Sequence, residues 1–355
     1  MEFGPGESQR LFDDALRGAL AGRVTPESRR AAAAAGGDAA LWQALCELGL
    51  AGVLVPEAQG GSGLGMMDAA LAAEALGHAA ASTPFLGSGV MAPLALRLLG
   101  GAAQQEEFLP RLVAGEMRVA IAFAALTGTT GTCDLRLRGE RLSGRVTGAL
   151  DAADATHLMV ALPGGEALAL LAADAPGVAL VPRRSVDRLR PLADLAFESA
   201  PVAILPGDAR RVLDAARVAL AAETLGAAQS MLDGAVAYAG QRRQFGRPIA
   251  SFQAVKHACA EMAAALEPCR ALVWYAAHAQ DAPEPEARML AAQAKAHLDE
   301  VGREVARGAT EVYGGMGFTE LLGLPFWFKR IMANRQLLGG PERCRDDAAL
   351  AQGMS

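Results

Sequence analysis

Cationic, aromatic and carboxamide side chains lie close together in one short connector between two long helical patterns. The connector reads Gln241-Arg242-Arg243-Gln244-Phe245-Gly246-Arg247-Pro248-Ile249 and continues as Ala250-Ser251-Phe252-Gln253. A guanidinium binds a phosphate through two parallel hydrogen bonds, and an aromatic ring and a carboxamide contact a polar ring. The connector therefore favours a binding site for a phosphate that carries such a ring. A plain helix-turn-helix of a bundle is the structural alternative.

The elements on either side of the connector must position these groups. Residues 209–240 are rich in Ala and Leu and contain no proline. Gly246 tolerates the positive φ at which a helix can end, and Pro248 prevents the helix from resuming. We expect Ser251 to cap the next helix. That helix is indicated by apolar residues at helical spacing, namely Phe252, Val255, Cys259 and Met262.

Three segments of the chain resemble the acyl-CoA dehydrogenase family. Residues 242–257, Arg-Arg-Gln-Phe-Gly-Arg-Pro-Ile-Ala-Ser-Phe-Gln-Ala-Val-Lys-His, look like the helix-connecting signature of that family. Residues 312–319, Val-Tyr-Gly-Gly-Met-Gly-Phe-Thr, are similar to its Gly-Gly-x-Gly-Phe/Tyr-Thr turn. Residues 55–65, Val-Pro-Glu-Ala-Gln-Gly-Gly-Ser-Gly-Leu-Gly, match its Val-Pro-Glu-x-x-Gly-Gly loop. The three occur in the order of the family, so the chain is identified as a divergent member.

The resemblance implies an α+β fold that is mainly α. It comprises an N-terminal α-helical domain at 1–116, a middle antiparallel β domain at 117–206 and a C-terminal four-helix bundle of long helices at 207–355. The residues alone agree, because helical spacing prevails in the outer parts and short apolar runs between Gly, Asp or Pro in the middle. The predicted strands are Arg118–Ala124, Leu135–Leu137, Leu142–Val146, His157–Ala161, Ala167–Leu171 and Val178–Val181.

Charge and composition exclude several classes of protein. The net charge of -6, without a basic stripe, argues against nucleic acid as a partner. The 5 cysteines lack metal-ligand spacing, so we expect reduced thiols and no metal site. No signal peptide is evident, and no apolar stretch reaches the roughly 18 residues of a membrane helix. We therefore expect a cytoplasmic protein without a membrane span.

The resemblance also implies FAD as the cofactor and removal of two hydrogens across the α,β bond of an acyl thioester. In the family, the connector and the Gly-Gly turn bind the ADP half of an FAD held by a neighbouring subunit. Carried across by position, Arg242 meets the pyrophosphate, Phe245 packs on the cofactor and Gln253 bonds its polar atoms. Glu311 replaces the usual Gln and accepts but cannot donate. The expected FAD contacts are Arg242, Gln244, Phe245, Ile249, Phe252, Gln253, Glu311, Gly314, Gly315, Thr127 and Thr129.

The catalytic base of the family is missing from both of its usual positions. Where a Tyr-Glu-Gly-Thr segment is expected, the chain has Leu338-Gly339-Gly340-Pro341, and glycine cannot take a proton. Other members place the Glu beside an Arg that matches Arg217, but its neighbour here is Ala216. Glu223 lies seven residues after Ala216 on the same helix, a rotation of about 700°, so the two side chains project from nearly the same face. Apolar neighbours would raise its pKa, so we hypothesise Glu223 as the base near Arg217; pairing with another helix is the structural alternative.

The segments expected around the flavin ring also depart from the family. Members carry Thr-Glu-Pro-Gly-Ala-Gly-Ser and a downstream Trp-x-Thr/Ser, whose counterparts here are residues 126–132 and Val146-Thr147-Gly148. Thr127 and Thr129 keep hydroxyls for a flavin, but the stacking Trp is absent. The chain's own ring site is therefore predicted to be weaker than its half-site for a neighbour's FAD.

These observations leave three functions open. The first is an FAD-dependent dehydrogenase of an acyl-CoA or a carrier-bound acyl group, with a displaced base. The second is a base-lacking partner subunit of a heteromeric acyl-CoA dehydrogenase, contributing half of the FAD site. The third is a helical scaffold without cofactor. The resemblance implies a homo- or hetero-oligomer, dimer or tetramer, with an electron-transfer flavoprotein as electron acceptor.

Overall fold

The computed structural model describes residues 4–128, 131–282 and 286–354. The chain is mainly helical with one mixed eight-stranded sheet, which confirms the predicted fold class. The boundaries of the three predicted domains stay a prediction. The α-helices of the described residues are α1 (Glu7–Arg23), α2 (Pro26–Ala35), α3 (Ala39–Glu47), α4 (Met66–Ala79), α5 (Ala92–Leu99), α6 (Ala102–Val113), α7 (Ala124–Thr127), α8 (Arg210–Gln241), α9 (Gln253–Asp281), α10 (Ala287–Tyr313), α11 (Leu324–Asn334) and α12 (Pro341–Ala351).

Two compact units make up the chain. The first unit contains residues Met1–Arg30, Ala70–Ala81 and Val218–Ser355, and the second contains Ala31–Ala69 and Ser82–Arg217. The helices of both units follow the periodic apolar pattern of the sequence. In α10, for example, Leu290, Leu298 and Val305 recur at helical spacing and are buried. Among the described residues, no helix is both long and apolar enough to cross a membrane.

The sheet lies in the second unit. Its main order is β6-β7-β3-β1-β4-β5-β8, and β2 pairs with β3 beside this path. Alternate residues of the strands pack a core that includes Leu142, Val160 and Phe197. The strands are β1 (Val119–Ala122), β2 (Arg136–Arg138), β3 (Arg141–Leu150), β4 (His157–Ala161), β5 (Ala167–Ala172), β6 (Val178–Arg183), β7 (Leu192–Pro201) and β8 (Ala203–Pro206).

The sheet corrects the sequence prediction in three respects. The first predicted strand is too long, because the chain leaves β1 after Ala122 and forms α7. β7 and β8 were not predicted, since Asp194 and Glu198 interrupt the apolar pattern of β7 with residue types that strands disfavour. The β1–β4 pair is parallel, whereas every other pair between described strands of this sheet is antiparallel. A longer connection through β2 and β3 allows that parallel pairing.

In the first unit, α4 and α8 cross with their backbones in contact. A Cβ added to Gly77 would overlap the carbonyl oxygen of Glu223, and one added to Gly226 would overlap that of Glu74. Only glycine permits such an approach. The crossing places Glu223 where three helices meet, because α11 also packs on this part of α8 through Arg330.

Candidate functional site

The connector between α8 and α9 folds as a tight two-stranded hairpin. Its strands are β9 (Arg243–Gln244) and β10 (Arg247–Pro248), and the two turn residues Phe245 and Gly246 have φ of 52° and 77°. Two-residue hairpin turns of this type need positive φ at both central positions. A bulky residue with positive φ is rare and costs free energy. The turn thereby presents the Phe245 ring to solvent, with 91% of the residue exposed.

Ser251 does not cap α9, contrary to the prediction. Its hydroxyl donates to the carbonyl oxygen of Pro248 at 2.7 Å, within a short 3-10 turn, Ile249–Ser251. The N-cap residue is Phe252, which provides no side-chain cap. Ser251 therefore stabilises the connector itself rather than the helix that follows it.

Some connector side chains are held within the connector, and others are available to a ligand. Arg247 lies 4.2 Å above the Phe252 ring, which also meets Phe245 edge-on. Arg243 donates to the carbonyl oxygen of Gly246. In contrast, the polar groups of three exposed side chains have no hydrogen bond or ion pair within the described residues. These side chains are those of Arg242, Gln244 and Gln253.

The Gly-Gly turn follows α10 and exposes its backbone. Gly314 has φ of 58° and ψ of -139°, a conformation that is essentially restricted to glycine. A Cβ added to Gly314 or Gly315 would meet no atom within 4 Å. Glu311, one turn earlier, is exposed, and its carboxylate makes no bond within the described parts of the chain. Open space therefore lies next to the backbone of Gly314 and Gly315 and next to the carboxylate of Glu311, as the binding of a dinucleotide requires.

The ring-binding candidates of the second unit are less accessible. Thr127 is 3% exposed, and its hydroxyl donates to the carbonyl oxygen of Phe123 at 3.3 Å. Thr129 lies outside the described residues. Val146, in the place of the family's stacking Trp, is fully buried in the core of the sheet. The described candidates for contact with a flavin ring are thus buried, whereas the polar side chains of the connector are exposed.

The carboxylate of Glu223 is engaged by two residues of α11. Arg330 donates to Oε1 at 2.6 Å, and Asn334 donates to Oε2 at 3.1 Å. Arg330 is 1% exposed and also donates through both terminal nitrogens to the carbonyl oxygen of Ala81. The Asn334 amide additionally reaches the Thr224 hydroxyl at 3.2 Å. Both carboxylate oxygens therefore hold helices together, as the structural alternative to a catalytic base requires.

Arg217, the other candidate for catalysis, belongs to the second unit. It is 1% exposed, and its Nη1 lies 3.9 Å from Oδ1 of Asp214, one turn earlier on α8. Sequence reasoning missed Arg330 and Asn334. Polar residues four positions apart on a helix are typical of a solvated face, so their spacing gives no sign of burial.

Comparison with known proteins agrees with this architecture. The profile of the acyl-CoA dehydrogenase N-terminal domain matches residues 6–116, and that of the acyl-CoA dehydrogenase C-terminal domain matches residues 207–351. Acyl-CoA dehydrogenase IpdE2 of Mycobacterium tuberculosis (strain ATCC 25618 / H37Rv) is 32% identical over 341 residues, covering 95% of each chain.

Two solved structures superpose on nearly the whole chain. The Tcur3481-Tcur3483 steroid ACAD G363A variant gives a TM-score of 0.90 at 30% identity over 98% of each chain. The ChsE4-ChsE5 complex from Mycobacterium tuberculosis gives a TM-score of 0.91 at 27% identity over 99% of each chain. Sequence profiles and fold thus agree, and the chain belongs to the acyl-CoA dehydrogenase family.

Proposed function

We propose that this chain is a base-lacking partner subunit of a heteromeric acyl-CoA dehydrogenase. Its connector and Gly-Gly turn contribute half of an FAD site to a neighbouring chain, which supplies the catalytic carboxylate. The observation that carries the proposal is the engagement of both Glu223 oxygens by Arg330 and Asn334. A carboxylate in a buried ion pair is a poor proton acceptor, because protonation would leave the buried guanidinium without its counter-charge.

The half-site has the chemistry that an ADP group needs. The Arg242 guanidinium suits the pyrophosphate, since two parallel hydrogen bonds fit its geometry. Gln244 and Gln253 offer both donors and acceptors, and Glu311 accepts from a ribose hydroxyl. All four side chains are exposed and have no partner among the described residues. The uncovered backbone of Gly314 and Gly315 permits close approach of the same ligand.

The remaining candidate residues are proposed to have smaller roles in binding FAD. Phe245 packs on the cofactor through its exposed ring, while Ile249 and Phe252 are half-buried and support the connector beneath it. At the chain's own ring site, Thr127 offers at most an acceptor, because its hydroxyl proton is donated to the carbonyl oxygen of Phe123, the residue before α7. FAD, when bound, would supply the acceptor for the hydride that leaves the β-carbon of the acyl thioester. This chain would hold the ADP half of that cofactor through its connector and Gly-Gly turn, and an electron-transfer flavoprotein would be the electron acceptor of the assembly.

Two similar proteins support a heteromeric assembly. One solved structure is described as a complex of ChsE4 with ChsE5, and the other carries the paired designation Tcur3481-Tcur3483. A scaffold without cofactor is disfavoured, because it gives no reason for a strained turn that exposes Phe245 beside an Arg242 side chain without a partner among the described residues.

The proposal is tested by purifying the full chain alone and together with catalytic acyl-CoA dehydrogenase chains of its own genome. Bound flavin and its bleaching by an acyl-CoA are then measured. Arg242→Ala should weaken FAD binding by about ten- to a hundredfold, since a hydrogen bond to a charged group contributes about 1.5–3 kcal/mol. Arg307→Ala, which removes an exposed arginine of α10, is the matched control and should leave binding unchanged. Unaltered FAD binding by Arg242→Ala would refute the half-site.

A further inference from the structure

Two stacked tyrosine rings connect the two segments of the half-site. Tyr238 lies in the last turn of α8, and Tyr313 is the last residue of α10. Their ring centroids are 4.4 Å apart, and the ring planes are inclined by 18°. Both residues are half-buried. The stack is therefore a direct side-chain contact between the helix that precedes the connector and the helix that precedes the Gly-Gly turn.

Each ring is tied by backbone to the segment that faces the ligand. The carbonyl oxygen of Tyr238 accepts from the N–H of Arg242 at 2.8 Å, and the carbonyl oxygen of Arg242 accepts from Ile249. Tyr313 directly precedes Gly314, whose N–H bonds to the carbonyl oxygen of Glu311. A change in the spacing of the rings would consequently shift both Arg242 and the glycine backbone.

The ring faces, and not the hydroxyl groups, make this contact. Neither tyrosine hydroxyl has a hydrogen bond within the described residues. Burial raises the pKa of Tyr313, so its hydroxyl is neutral. Gly234, one turn before Tyr238, leaves room for the Tyr313 ring: a Cβ added there would lie 2.8 Å from the hydroxyl oxygen. A larger residue at this site would therefore force the Tyr313 hydroxyl group to move.

We infer that the Tyr238–Tyr313 stack is a positioning device that sets the spacing between Arg242 and the Gly314–Gly315 backbone. The inference rests on the proposed function, in which both segments bind one FAD. A dinucleotide contacted from two sides binds tightly only when the two sides are already correctly spaced, because ordering them on binding costs affinity. The rings supply that order before the cofactor arrives.

The first test titrates FAD into the flavin-depleted complex of this chain with its catalytic partner, followed by flavin fluorescence. Tyr238→Leu and Tyr313→Leu should each raise the Kd about tenfold. Their double variant should bind no more than about threefold more weakly than either single variant, because each change already removes the same contact. Tyr238→Phe and Tyr313→Phe keep the ring faces and should bind within about twofold of wild type.

A second pair of variants separates FAD affinity from the stability of the fold. Gly234→Ala adds a helix-favouring residue but crowds the Tyr313 hydroxyl, so it should weaken FAD binding several-fold while the Tm of the chain stays the same or rises. Tyr313→Phe removes the crowded oxygen and should restore binding in the Gly234→Ala background. A merely structural stack would change Tm and not FAD affinity.

The outcomes separate this inference from the proposed function. If Arg242→Ala weakens FAD binding but the Leu variants and Gly234→Ala do not, the positioning role is refuted and the half-site stands. If Gly234→Ala weakens binding and Tyr313→Phe fails to restore it, the stack is also not the cause. If Arg242→Ala itself has no effect, the half-site is refuted, and the positioning role with it.

Discussion

Glu223→Gln distinguishes a structural carboxylate from a catalytic one. The side chains of Glu223 and Arg330 are 9% and 1% exposed, and their atoms lie 2.6 Å apart. Breaking a buried pair by removing one partner costs about 3–5 kcal/mol, since the other charge stays buried. Gln keeps the shape and one acceptor, and Arg330 retains its bonds to the Ala81 carbonyl oxygen. The lower end, about 3 kcal/mol, therefore applies.

The assay is thermal unfolding of the complex together with turnover of an acyl-CoA. For units of this size, about 3 kcal/mol corresponds to a fall in Tm of about 6–12 °C. Glu304→Gln, an exposed change on α10, is the control and should remain within about 0.5 kcal/mol of wild type. Below its lowered Tm, the Glu223→Gln complex should still bleach its flavin at nearly the wild-type rate. Unchanged Tm with complete loss of thioester oxidation would refute the structural reading and restore Glu223 as a base.

Three further substitutions probe the first unit by chemical denaturation. Gly77→Ala should lower the free energy of unfolding by more than about 2 kcal/mol, because its Cβ overlaps the Glu223 carbonyl oxygen. Gly18→Ala in α1 meets no neighbour and should raise the free energy of unfolding by about 0.5–1 kcal/mol. Equal effects of the two substitutions would contradict the tight crossing. Burial raises the pKa of Asp299 to about 7, although Lys295, whose Nζ lies 2.5 Å from Oδ2 of Asp299, lowers that pKa. The folded chain then holds a proton that the unfolded chain has released, so this contribution to stability falls as pH rises from about 4 to 7. Because Asn does not titrate, the stability of Asp299→Asn should rise relative to that of wild type as the pH rises from about 4 to 7, and an identical pH dependence of both proteins would contradict the assignment.

Local patterns in the sequence predict most elements of the fold. β4 has the predicted limits, His157–Ala161, because an apolar run between turn residues is sufficient to define a buried strand. β7 is not predicted by such a pattern, since its acidic residues are tolerated only because the strand pairs with β3 and β6 in the sheet. The order of helical and strand-rich parts is thus accessible from sequence, whereas individual strands depend on tertiary context.

The site shows the same division. The connector and the Gly-Gly turn are recognisable because their residue types are unusual for packing alone. The hairpin at Phe245 is not predictable, because a bulky residue rarely adopts positive φ. The partner of Glu223 is also hidden, since Arg330 lies 107 residues away along the chain. The apolar neighbours of a charged residue in the sequence indicate that it is buried, but only the fold identifies the residue that neutralises it.

Flavin absorbance on addition of an acyl-CoA, measured with the chain alone and with its catalytic partner, tests whether this chain lacks a base of its own. We expect no bleaching by the chain alone and rapid bleaching by the complex, which is lost when the partner's carboxylate is removed but kept in Glu223→Gln. Bleaching by the purified chain without any partner would contradict this expectation.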